Sequence, residues 1–581
     1  MMRPRRRLFS PTLALALAWC AAQLPSGTVV DAASRPPVRG HGGAVASDER
    51  LATEVGLDAL RAGGNAVDAA VATALALAVV APEAGNLGGG GFAVVRMEGE
   101  LHFLDFREVA PAAAHRDMYL GEDGEPVAEA SRVGPLATGV PGSPAGLHAL
   151  HERLGRLPWA EVVAPARRLA ADGFRVSART VDSLADKREV LGRFPESAAV
   201  WLPGGEPPKP GALIRHPKLA ETLRSYARSG PSAITSGAVA AAVEAASERH
   251  GGVLTAEDLE AYRPVWREPV RYSAFGWELA TADLPSSGGV LLASTAWTLE
   301  RLGYGDAEPY GADRAHLLAE AWRRAYADRF LLGDPSTTQA AASDLLGVDW
   351  LSGRLAGIDR RRATPSNDVQ LWSDVDGGAG ESGDTTHLSV VDADGAAVTL
   401  TTTLNGLFGC GLWVPEIGFL NNEMDDFAAA PGKPNMFGLV QGDANAVRPG
   451  KRMLSSMSPT VAWRGDDVLV VGGRGGSRIP TATLQALLAV WLDGEGIQGA
   501  LDRPRIHHQW RPDQLEHEPG ALSPETRVEL ERRGHALSPR RSMAQVHAVR
   551  WTAADDGPAL CRGASDPRGG GGVAGVVDPW P

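Results

Sequence analysis

The chain has 581 residues, of which 44% are hydrophobic and 22% charged, and its formal net charge is -13. A chain of this length needs two or three lobes or one large multilayer domain, because a single simple core does not grow to this size. Binding of nucleic acid requires a concentrated basic face, and the acidic balance of the chain argues against one. We therefore expect a globular protein without a nucleic-acid partner.

The N-terminus carries a cluster of basic residues, Met-Met-Arg-Pro-Arg-Arg-Arg, followed by a short apolar run over residues 13–22. This run is too short to span a bilayer and has the layout of a secretory signal. Arg6 and Arg7 also fit a loose twin-arginine pattern, which would mean export of a folded chain. We assign residues 1–34 to a signal peptide and leader with an open cleavage position, and we expect a periplasmic or extracellular protein.

The chain has three cysteines, Cys20, Cys410 and Cys561. Cys20 lies in the apolar run and is expected to leave with the signal, whereas the other two can pair or stay free. So few cysteines make no disulfide framework, and their spacing matches no zinc site. We expect no metal.

Two helices are predicted near the start of the mature chain. Residues 48–62 have an amphipathic pattern, and Asn65 can cap a second, almost wholly apolar helix over residues 66–80, which we expect to be buried between layers. The glycine-rich run at residues 85–92 invites comparison with a phosphate loop, but no Lys-Ser/Thr pair and no helix follow it. We interpret the glycines as a place where two backbones approach closely.

Strands are predicted at residues 92–96 and 101–106, and helical stretches alternate with loops from about residue 110 to 345. The helical stretches include residues 144–153, 219–227 and 312–332. The small-residue turn at residues 285–289 is a weak nucleophile motif, because no strand–Ser–helix elbow surrounds it.

A polar, glycine-rich linker occupies residues 373–384, and we expect it to be exposed and mobile. The chain after it is rich in strands, predicted at residues 385–392, 396–404, 461–465 and 468–472.

The first two of these strands form a predicted hairpin, because Asp-Ala-Asp-Gly at its tip is a turn signal. A three-residue loop at 393–395 places Thr403 directly across from Thr385, close enough for their hydroxyls to hydrogen bond. A shift of one residue would put Thr402 or Leu404 there instead.

Cleavage between the linker and the strand would make Thr385 an N-terminal residue. A threonine hydroxyl is a weak nucleophile unless a base lies beside it, and the free α-amine of the same residue, which titrates near about 8, can serve as that base. The alternative is a plain linker followed by a surface strand, and composition alone favours that alternative.

Residues 383–392 resemble the processing site and small-subunit start of the gamma-glutamyltransferases. Other segments look like motifs of that family, in its order: residues 85–92, 105–108, 403–405, 422–427, 454–459, 475–478, 504–509 and 563–568. The resemblance covers roughly residues 40 to 568, which is nearly the whole mature chain.

The resemblance implies roles for individual residues. It implies that Thr385 is the catalytic nucleophile and that Thr403 hydrogen bonds to it. The remaining matched positions are Arg107, Ser455 and Ser456 for a substrate α-carboxylate, Glu423, Asp426 and Asn405 for its α-ammonium and the bound glutamate, and Gly475 and Gly476 for the oxyanion hole. The residue types suit these roles, because a guanidinium offers paired donors to a carboxylate and glycines let backbone amides come close to an oxyanion.

Each assignment has a plain structural alternative. Arg107 could form a surface ion pair with Glu108, and Asp425 and Asp426 could be a solvated pair. The two glycines could form a tight turn after a strand.

The resemblance further implies an α+β fold, the four-layer αββα sandwich of the N-terminal-nucleophile hydrolases. The proenzyme would split into a large subunit, residues 35–384, and a small subunit, residues 385–581, which stay together as a heterodimer. Glutathione and related γ-glutamyl compounds would donate the γ-glutamyl group to water, amino acids or dipeptides through a Thr385 ester, without a cofactor. Two other functions remain open: a glutaryl or cephalosporin acylase of the same superfamily, and an unprocessed, inactive binding protein.

Residues 431–447 resemble the lid loop that covers the site in many bacterial members. The aromatic position of this lid is Phe437, where many members carry tyrosine. A phenylalanine can cover the pocket but cannot donate a hydrogen bond toward Asn405, so the balance between hydrolysis and transfer stays open.

Overall fold

The computed structural model describes residues 35–127, 129–369, 385–430, 432–570 and 572–579. The predicted leader and the predicted linker at 373–384 lie outside the described residues. Among the described residues, no helix is both long and apolar enough to cross a bilayer.

Strands occur from the beginning to the end of the described chain, with helices between groups of them. In chain order the strands are β1 (Val38–Gly40), β2 (Gly43–Ser47), β3 (Gly90–Met97), β4 (Glu100–Phe106), β5 (Phe174–Arg175), β6 (Leu213–Ile214), β7 (Val265–Arg267), β8 (Val270–Ala274), β9 (Trp277–Thr281), β10 (Thr385–Asp392), β11 (Ala397–Thr403), β12 (Trp413–Val414), β13 (Gly418–Phe419), β14 (Thr460–Arg464), β15 (Asp467–Arg474), β16 (Ile506–His507), β17 (Leu515–His517), β18 (Leu537–Pro539), β19 (Gln545–Thr552), β20 (Leu560–Ser565) and β21 (Val573–Val576).

The helices cluster before β7 and between β9 and β10. In chain order they are α1 (Arg50–Arg61), α2 (Ala66–Val80), α3 (Ser143–Leu154), α4 (Trp159–Asp172), α5 (Ala178–Asp186), α6 (Arg188–Gly192), α7 (Pro195–Trp201), α8 (Pro217–Ser229), α9 (Ser232–Thr235), α10 (Gly237–Arg249), α11 (Ala256–Ala261), α12 (Gly288–Arg301), α13 (Ala312–Asp328), α14 (Ala342–Leu345), α15 (Val348–Ala356), α16 (Ser366–Val369), α17 (Ile479–Leu492), α18 (Ile497–Asp502) and α19 (Pro524–Arg532).

Two seven-stranded sheets form the centre of the fold. Sheet 1 has the strand order β21-β2-β10-β11-β3-β4-β7, and sheet 2 has the order β1-β20-β19-β15-β14-β9-β8. Every pairing within these two sheets is antiparallel. Both sheets combine strands from before and after residue 385, so the two halves of the chain complete the same core.

Four layers follow from the way the strands alternate. Val390 in β10 packs toward α1 and α2, whereas its neighbour Val391 joins the core between the sheets. In β15, Val470 points into the same central core and Val471 packs with α17 and α18. The order helix–sheet–sheet–helix confirms the predicted αββα sandwich, and one large multilayer unit takes in the described chain from Pro37 onward.

The second predicted helix is confirmed with its bounds. Asn65 accepts hydrogen bonds from the first turn of α2, and the Asp68 carboxylate accepts one from the Asn65 N–H in return. Every residue of α2 is buried, as expected of an almost wholly apolar helix that lies between layers.

The first predicted helix begins two residues later than expected, at Arg50. The Glu49 carboxylate accepts hydrogen bonds from Leu51 and Ala52 and so caps α1. Asp48 lies outside the helix, because its buried carboxylate bonds to other strands. The helix predicted at 312–332 ends earlier, at Asp328, because the chain continues there as a 3₁₀ turn.

The glycine run confirms the expected close approach of backbones. A Cβ on Gly88 would lie 2.2 Å from the Phe419 carbonyl oxygen, and one on Gly91 would lie 2.2 Å from that of Thr401. Cys410 and Cys561 are both buried and free, so they do not pair.

Candidate active site

The hairpin of β10 and β11 brings two threonines together at one end of sheet 1. Thr385 pairs directly with Thr403, which confirms the predicted register and shows the one-residue shifts to be wrong. The Thr385 hydroxyl donates to the Thr403 hydroxyl at 3.3 Å, and the Asn405 N–H donates to the same Thr403 oxygen at 2.7 Å. Thr385 is only 5% exposed. Its hydroxyl therefore has a fixed partner in a confined place.

The glycine run holds the end of β11 in position. Gly90 pairs with Thr403 across the sheet, and Asn86 donates to the Thr403 carbonyl at 3.0 Å. A Cβ on Gly89 would lie 2.1 Å from that carbonyl oxygen, so no larger residue fits there.

A buried cluster of charges lies beside the threonines. The Arg107 guanidinium forms ion pairs with Glu423 at 2.6 Å and with Asp426 at 2.5 Å, and Glu108 lies 3.6 Å from it. All four side chains are at most a tenth exposed. Arg107 is thus a buried residue with two close carboxylates, and the surface ion pair with Glu108 is wrong.

Burial governs the protonation of this cluster. Burial raises the pKa of Glu423 well above its usual value, and the attraction of Arg107 opposes that rise only in part. The pKa of Asp426 is raised for the same reason, and burial raises that of Glu108 to about 7. Carboxylates with raised pKa values gain stability from an added cation, so the cluster favours binding of an ammonium group.

Two serines complete the wall next to Arg107. Ser455 and Ser456 line the same pocket as Arg107 and Thr385. The Ser455 hydroxyl accepts from the Met457 N–H at 3.1 Å. The buried Ser456 hydroxyl has no hydrogen-bond partner within the described part of the chain, which leaves it available to a bound carboxylate.

The third feature of the pocket is a glycine turn before a helix. Gly475 and Gly476 both have positive φ, +129° and +58°, a conformation that glycine adopts without strain. The helix α17 begins three residues after Gly476, at Ile479, and both Gly476 and Ile479 line the pocket. The positive end of the helix dipole therefore faces the pocket and favours a developing negative charge.

The sequence model of the family described as Gamma-glutamyltranspeptidase matches residues 52–576. The chain belongs to this family. The glutathione hydrolase proenzyme of Escherichia coli (strain K12) is 42% identical to it over 540 residues, 92% of this chain and 91% of that protein.

Solved structures of related proteins have the same fold. Cephalosporin acylase from Bacillus halodurans superimposes with a TM-score of 0.79 at 26% identity, over 95% of this chain and 98% of that one. Gamma-glutamyltranspeptidase from Pseudomonas nitroreducens, complexed with L-DON, gives a TM-score of 0.54 at 38% identity, over 57% of this chain and 98% of that one. The fold is therefore that of the N-terminal-nucleophile hydrolases.

Nine of the ten residues singled out by the family motifs line one pocket with about 300 Å³ of empty space. They are Arg107, Thr385, Thr403, Asn405, Glu423, Asp426, Ser455, Ser456 and Gly476. The tenth, Gly475, precedes Gly476 in the chain but is not among the lining residues. Leu439, Met457 and Ile479, to which the sequence analysis gave no role, add an apolar side to the pocket.

Phe437, from the segment that resembles the family's lid, packs against the glycine turn. Phe437 is 5% exposed and lines the pocket. A Cβ on Gly476 would lie 2.7 Å from its ring, so the ring packs on the glycine itself. Gln509 donates to the Phe437 carbonyl at 3.0 Å and holds this lid residue from the other side.

The small-residue turn at 285–289 has a supporting role that its sequence did not indicate. The Ser287 hydroxyl donates to the Ser455 carbonyl at 2.7 Å, and the Ser287 N–H donates to it at 2.9 Å. Arg329, which is buried, donates in turn to the Ser287 hydroxyl at 3.0 Å. The turn thus fixes the serine loop of the pocket, and the sequence spacing carried no signal of it.

One group of possible metal ligands lies away from the pocket. Atoms of His316, Glu320 and His535 lie within 4.8 Å of one another. Glu320 already accepts from Arg323 and Arg324, and the two histidines hydrogen bond to each other at 2.8 Å. Two guanidinium groups beside the carboxylate repel a cation, so this group is a hydrogen-bond network.

Proposed function

We propose that this chain is a gamma-glutamyltransferase with glutathione hydrolase activity that cleaves itself in front of Thr385. The observation that carries the proposal is the composition of one pocket. It holds a threonine hydroxyl at the start of a strand, a guanidinium between two carboxylates and a glycine turn at a helix N-terminus.

The charge cluster suits the zwitterionic end of a γ-glutamyl group. Its α-carboxylate would take the donors of Arg107 and the hydroxyl of Ser456. Its α-ammonium would take the carboxylates of Glu423 and Asp426, which Arg107 neutralises in their present pairing. Each internal ion pair is replaced by another ion pair, so binding leaves no buried charge without a partner.

Self-cleavage would begin with attack of the Thr385 hydroxyl on the carbonyl of Asp384. The acyl group of Asp384 moves from the Thr385 nitrogen to its hydroxyl oxygen, and this break of the C–N bond frees the α-amine of Thr385. Water then cleaves the ester, which restores the hydroxyl and leaves Asp384 with a C-terminal carboxylate. Two subunits result, residues 35–384 and 385–581. They would remain a heterodimer, because strands from both sides of residue 385 pair with each other in both sheets.

In turnover the free amine of Thr385 takes the proton of its own hydroxyl as that oxygen attacks the γ-amide. The backbone amides of the Gly475–Gly476 turn stabilise the oxyanion. Thr403 orients the Thr385 hydroxyl through the hydrogen bond between them. The leaving amine takes a proton and departs, which leaves a γ-glutamyl ester on Thr385. Water then gives glutamate, and an amino acid or dipeptide gives a new γ-glutamyl amide.

The acylase from Bacillus halodurans supports a second candidate, because it superimposes on nearly the whole chain. A glutaryl group lacks the α-ammonium and would leave Glu423 and Asp426 without their proposed ligand. A matched pair of substrates decides between the two: γ-glutamyl-p-nitroanilide and glutaryl-p-nitroanilide, which differ only in that amino group. Faster turnover of the glutaryl amide would favour the acylase.

The direct test uses purified protein with glutathione, with and without glycylglycine. We expect a protein of two bands on a denaturing gel, and free glutamate with cysteinylglycine or a γ-glutamyl adduct by mass spectrometry. A split protein without these products would overturn the proposed substrate. An unsplit and inactive chain would support the binding-protein alternative.

We also propose that the chain is exported to the periplasm or the medium. The basic start and the apolar run at residues 13–22 support this. Fractionation of expressing cells tests it, and recovery of the uncleaved leader in the cytoplasmic fraction would contradict it.

A further inference from the structure

A buried carboxylate outside the pocket connects three strands. Asp48 follows β2 and is 1% exposed. It accepts hydrogen bonds from the Thr386 hydroxyl at 2.8 Å and the His547 ring at 3.0 Å, and it forms an ion pair with Arg474 at 3.2 Å. Thr386 belongs to β10 in sheet 1, whereas Arg474 and His547 belong to β15 and β19 in sheet 2. One side chain therefore joins the two sheets.

Two of these contacts lie next to the groups that the proposed reaction uses. Thr386 follows the nucleophile Thr385 in the chain, and Arg474 precedes the glycine turn at Gly475. The nucleophile and its partner Thr403 are both in sheet 1, so their hydrogen bond cannot fix the nucleophile relative to sheet 2. The contacts of Asp48 provide a connection between the strand of the nucleophile in sheet 1 and the strands of sheet 2.

The neighbours of Asp48 favour the ionised form of its carboxylate. Burial by itself would raise the pKa of Asp48, but Arg474 and His547 hold it well below the usual value. Hydrogen bonds to an ionised carboxylate are about twice as strong as bonds between neutral groups. Arg474 is fixed further by Gln545, whose side-chain oxygen accepts from it at 2.8 Å.

We propose that Asp48 is a positioning residue that sets the distance between Thr385 and the Gly475–Gly476 turn, through Thr386 and Arg474. The inference rests on the proposed function and adds to it. Asp48 does not line the pocket, so it acts on the reaction only through these neighbours. A displacement of the reacting groups by about 1 Å can lower a rate by about 100-fold.

The test compares Asp48→Asn and Thr386→Val with a matched control, Thr399→Val. Thr399 also reaches from sheet 1 to sheet 2, donating to the Val471 carbonyl at 3.4 Å, but it does not contact Asp48. Three quantities are measured: the rate of self-cleavage, kcat/KM for γ-glutamyl-p-nitroanilide, and the inhibition constant of L-glutamate, which reports binding without reaction.

We expect Asp48→Asn and Thr386→Val to slow self-cleavage and to lower kcat/KM by about 10- to 100-fold. The inhibition constant of glutamate should stay within about twofold, because the groups that hold the α-carboxylate and α-ammonium are not displaced. The control should change none of the three. The double variant should be no slower than Asp48→Asn alone, since both changes remove one connection.

A merely structural role gives a different pattern. In that case Thr386→Val behaves like the control, or the inhibition constant rises as much as kcat/KM falls, and either result overturns the inference. If Asp48→Asn does not fold, Thr386→Val carries the test alone. A wild-type chain that splits but acts on no γ-glutamyl compound overturns the proposed substrate only, and the rate of self-cleavage then tests Asp48. A wild-type chain that neither splits nor reacts overturns both.

Discussion

In the proposed function, Arg107 receives a ligand that carries both a positive and a negative charge. Its guanidinium is buried and bonds to two carboxylates, one of which, Glu423, is fully enclosed. An isolated buried charge is costly, and removal of one partner from a buried pair is strongly destabilising. The arginine and the carboxylates therefore stabilise one another until, in the proposed reaction, a ligand with both charges takes their places.

This arrangement predicts how Asp426→Asn changes substrate choice. We expect kcat/KM for γ-glutamyl-p-nitroanilide to fall by about 10- to 100-fold, because an interaction of about 1.5–3 kcal/mol with the α-ammonium is lost. The glutaryl amide, which has no ammonium, should change much less. Asp425→Asn is the control, because Asp425 bonds to Ser131 and Met436 and does not line the pocket. Equal losses on both substrates would contradict the assignment of Asp426.

The two central sheets pack against each other around one buried histidine, His387. His387 in β10 is fully buried and bonds to the hydroxyls of Thr401 and Ser389. Opposite it, β15 carries Gly472, where a Cβ would lie 2.4 Å from the His387 ring. A glycine at this position lets the sheets approach closely enough to hold the ring between them.

We expect Gly472→Ala to lower the melting temperature, because the added methyl group must push the ring or the strands apart. Overpacking of this kind costs about 1–3 kcal/mol. Gly353→Ala is a matched control, since a Cβ there meets no atom within 4 Å and alanine favours the helix by up to about 1 kcal/mol. Calorimetry of the two variants checks this. If Gly472→Ala melts at the same temperature as the wild type, the two sheets do not pack around His387 as described.

Elements with strong local patterns could be predicted from the sequence. The sequence predicts both the apolar helix 66–80 and the register of Thr385 with Thr403, because an N-cap and a short hairpin loop leave few alternatives. The predicted start of the first helix is two residues too early, because no local pattern shows that Glu49 is the cap and that Asp48 bonds to distant strands.

The pocket itself could be predicted only through family motifs. Arg107 lies at the end of β4, Asp426 in a 3₁₀ turn and Ser456 in a loop, and no periodicity connects them. Their meeting depends on contacts hundreds of residues apart in the chain. The support of the serine loop by Ser287 and Arg329 could not be foreseen for the same reason.

The molecule as a whole buries several uncharged histidines, which makes its stability sensitive to acid. Burial lowers the pKa of His216 and His508 to about 4 and that of His507 to about 3. For a histidine with a lowered pKa, the folded state is favoured fully above the unfolded pKa of about 6.5. This contribution is lost as the pH falls toward the folded pKa.

His216→Phe tests this dependence at one site. His216 packs against Trp201, Trp413 and Phe174, and its Nε2 has no hydrogen-bond partner among the described residues, so a phenyl ring suits the site. We expect the wild type to lose about 3 kcal/mol more than the variant between pH 6.5 and 4. Melting temperatures across this range check it. Identical pH profiles would show that His216 does not titrate as described.

The two halves of the chain complete the same sheets, and cleavage in front of Thr385 should leave the fold assembled. The central claim is that Thr385 becomes an N-terminal nucleophile, and mass spectrometry of the purified protein tests it most directly. We expect the wild type to yield a small chain that begins at Thr385, and brief exposure to a γ-glutamyl donor to add one glutamyl group to that residue. Thr385→Ala should remain a single chain without the adduct. Normal splitting of Thr385→Ala, or an adduct on another residue, would contradict the account.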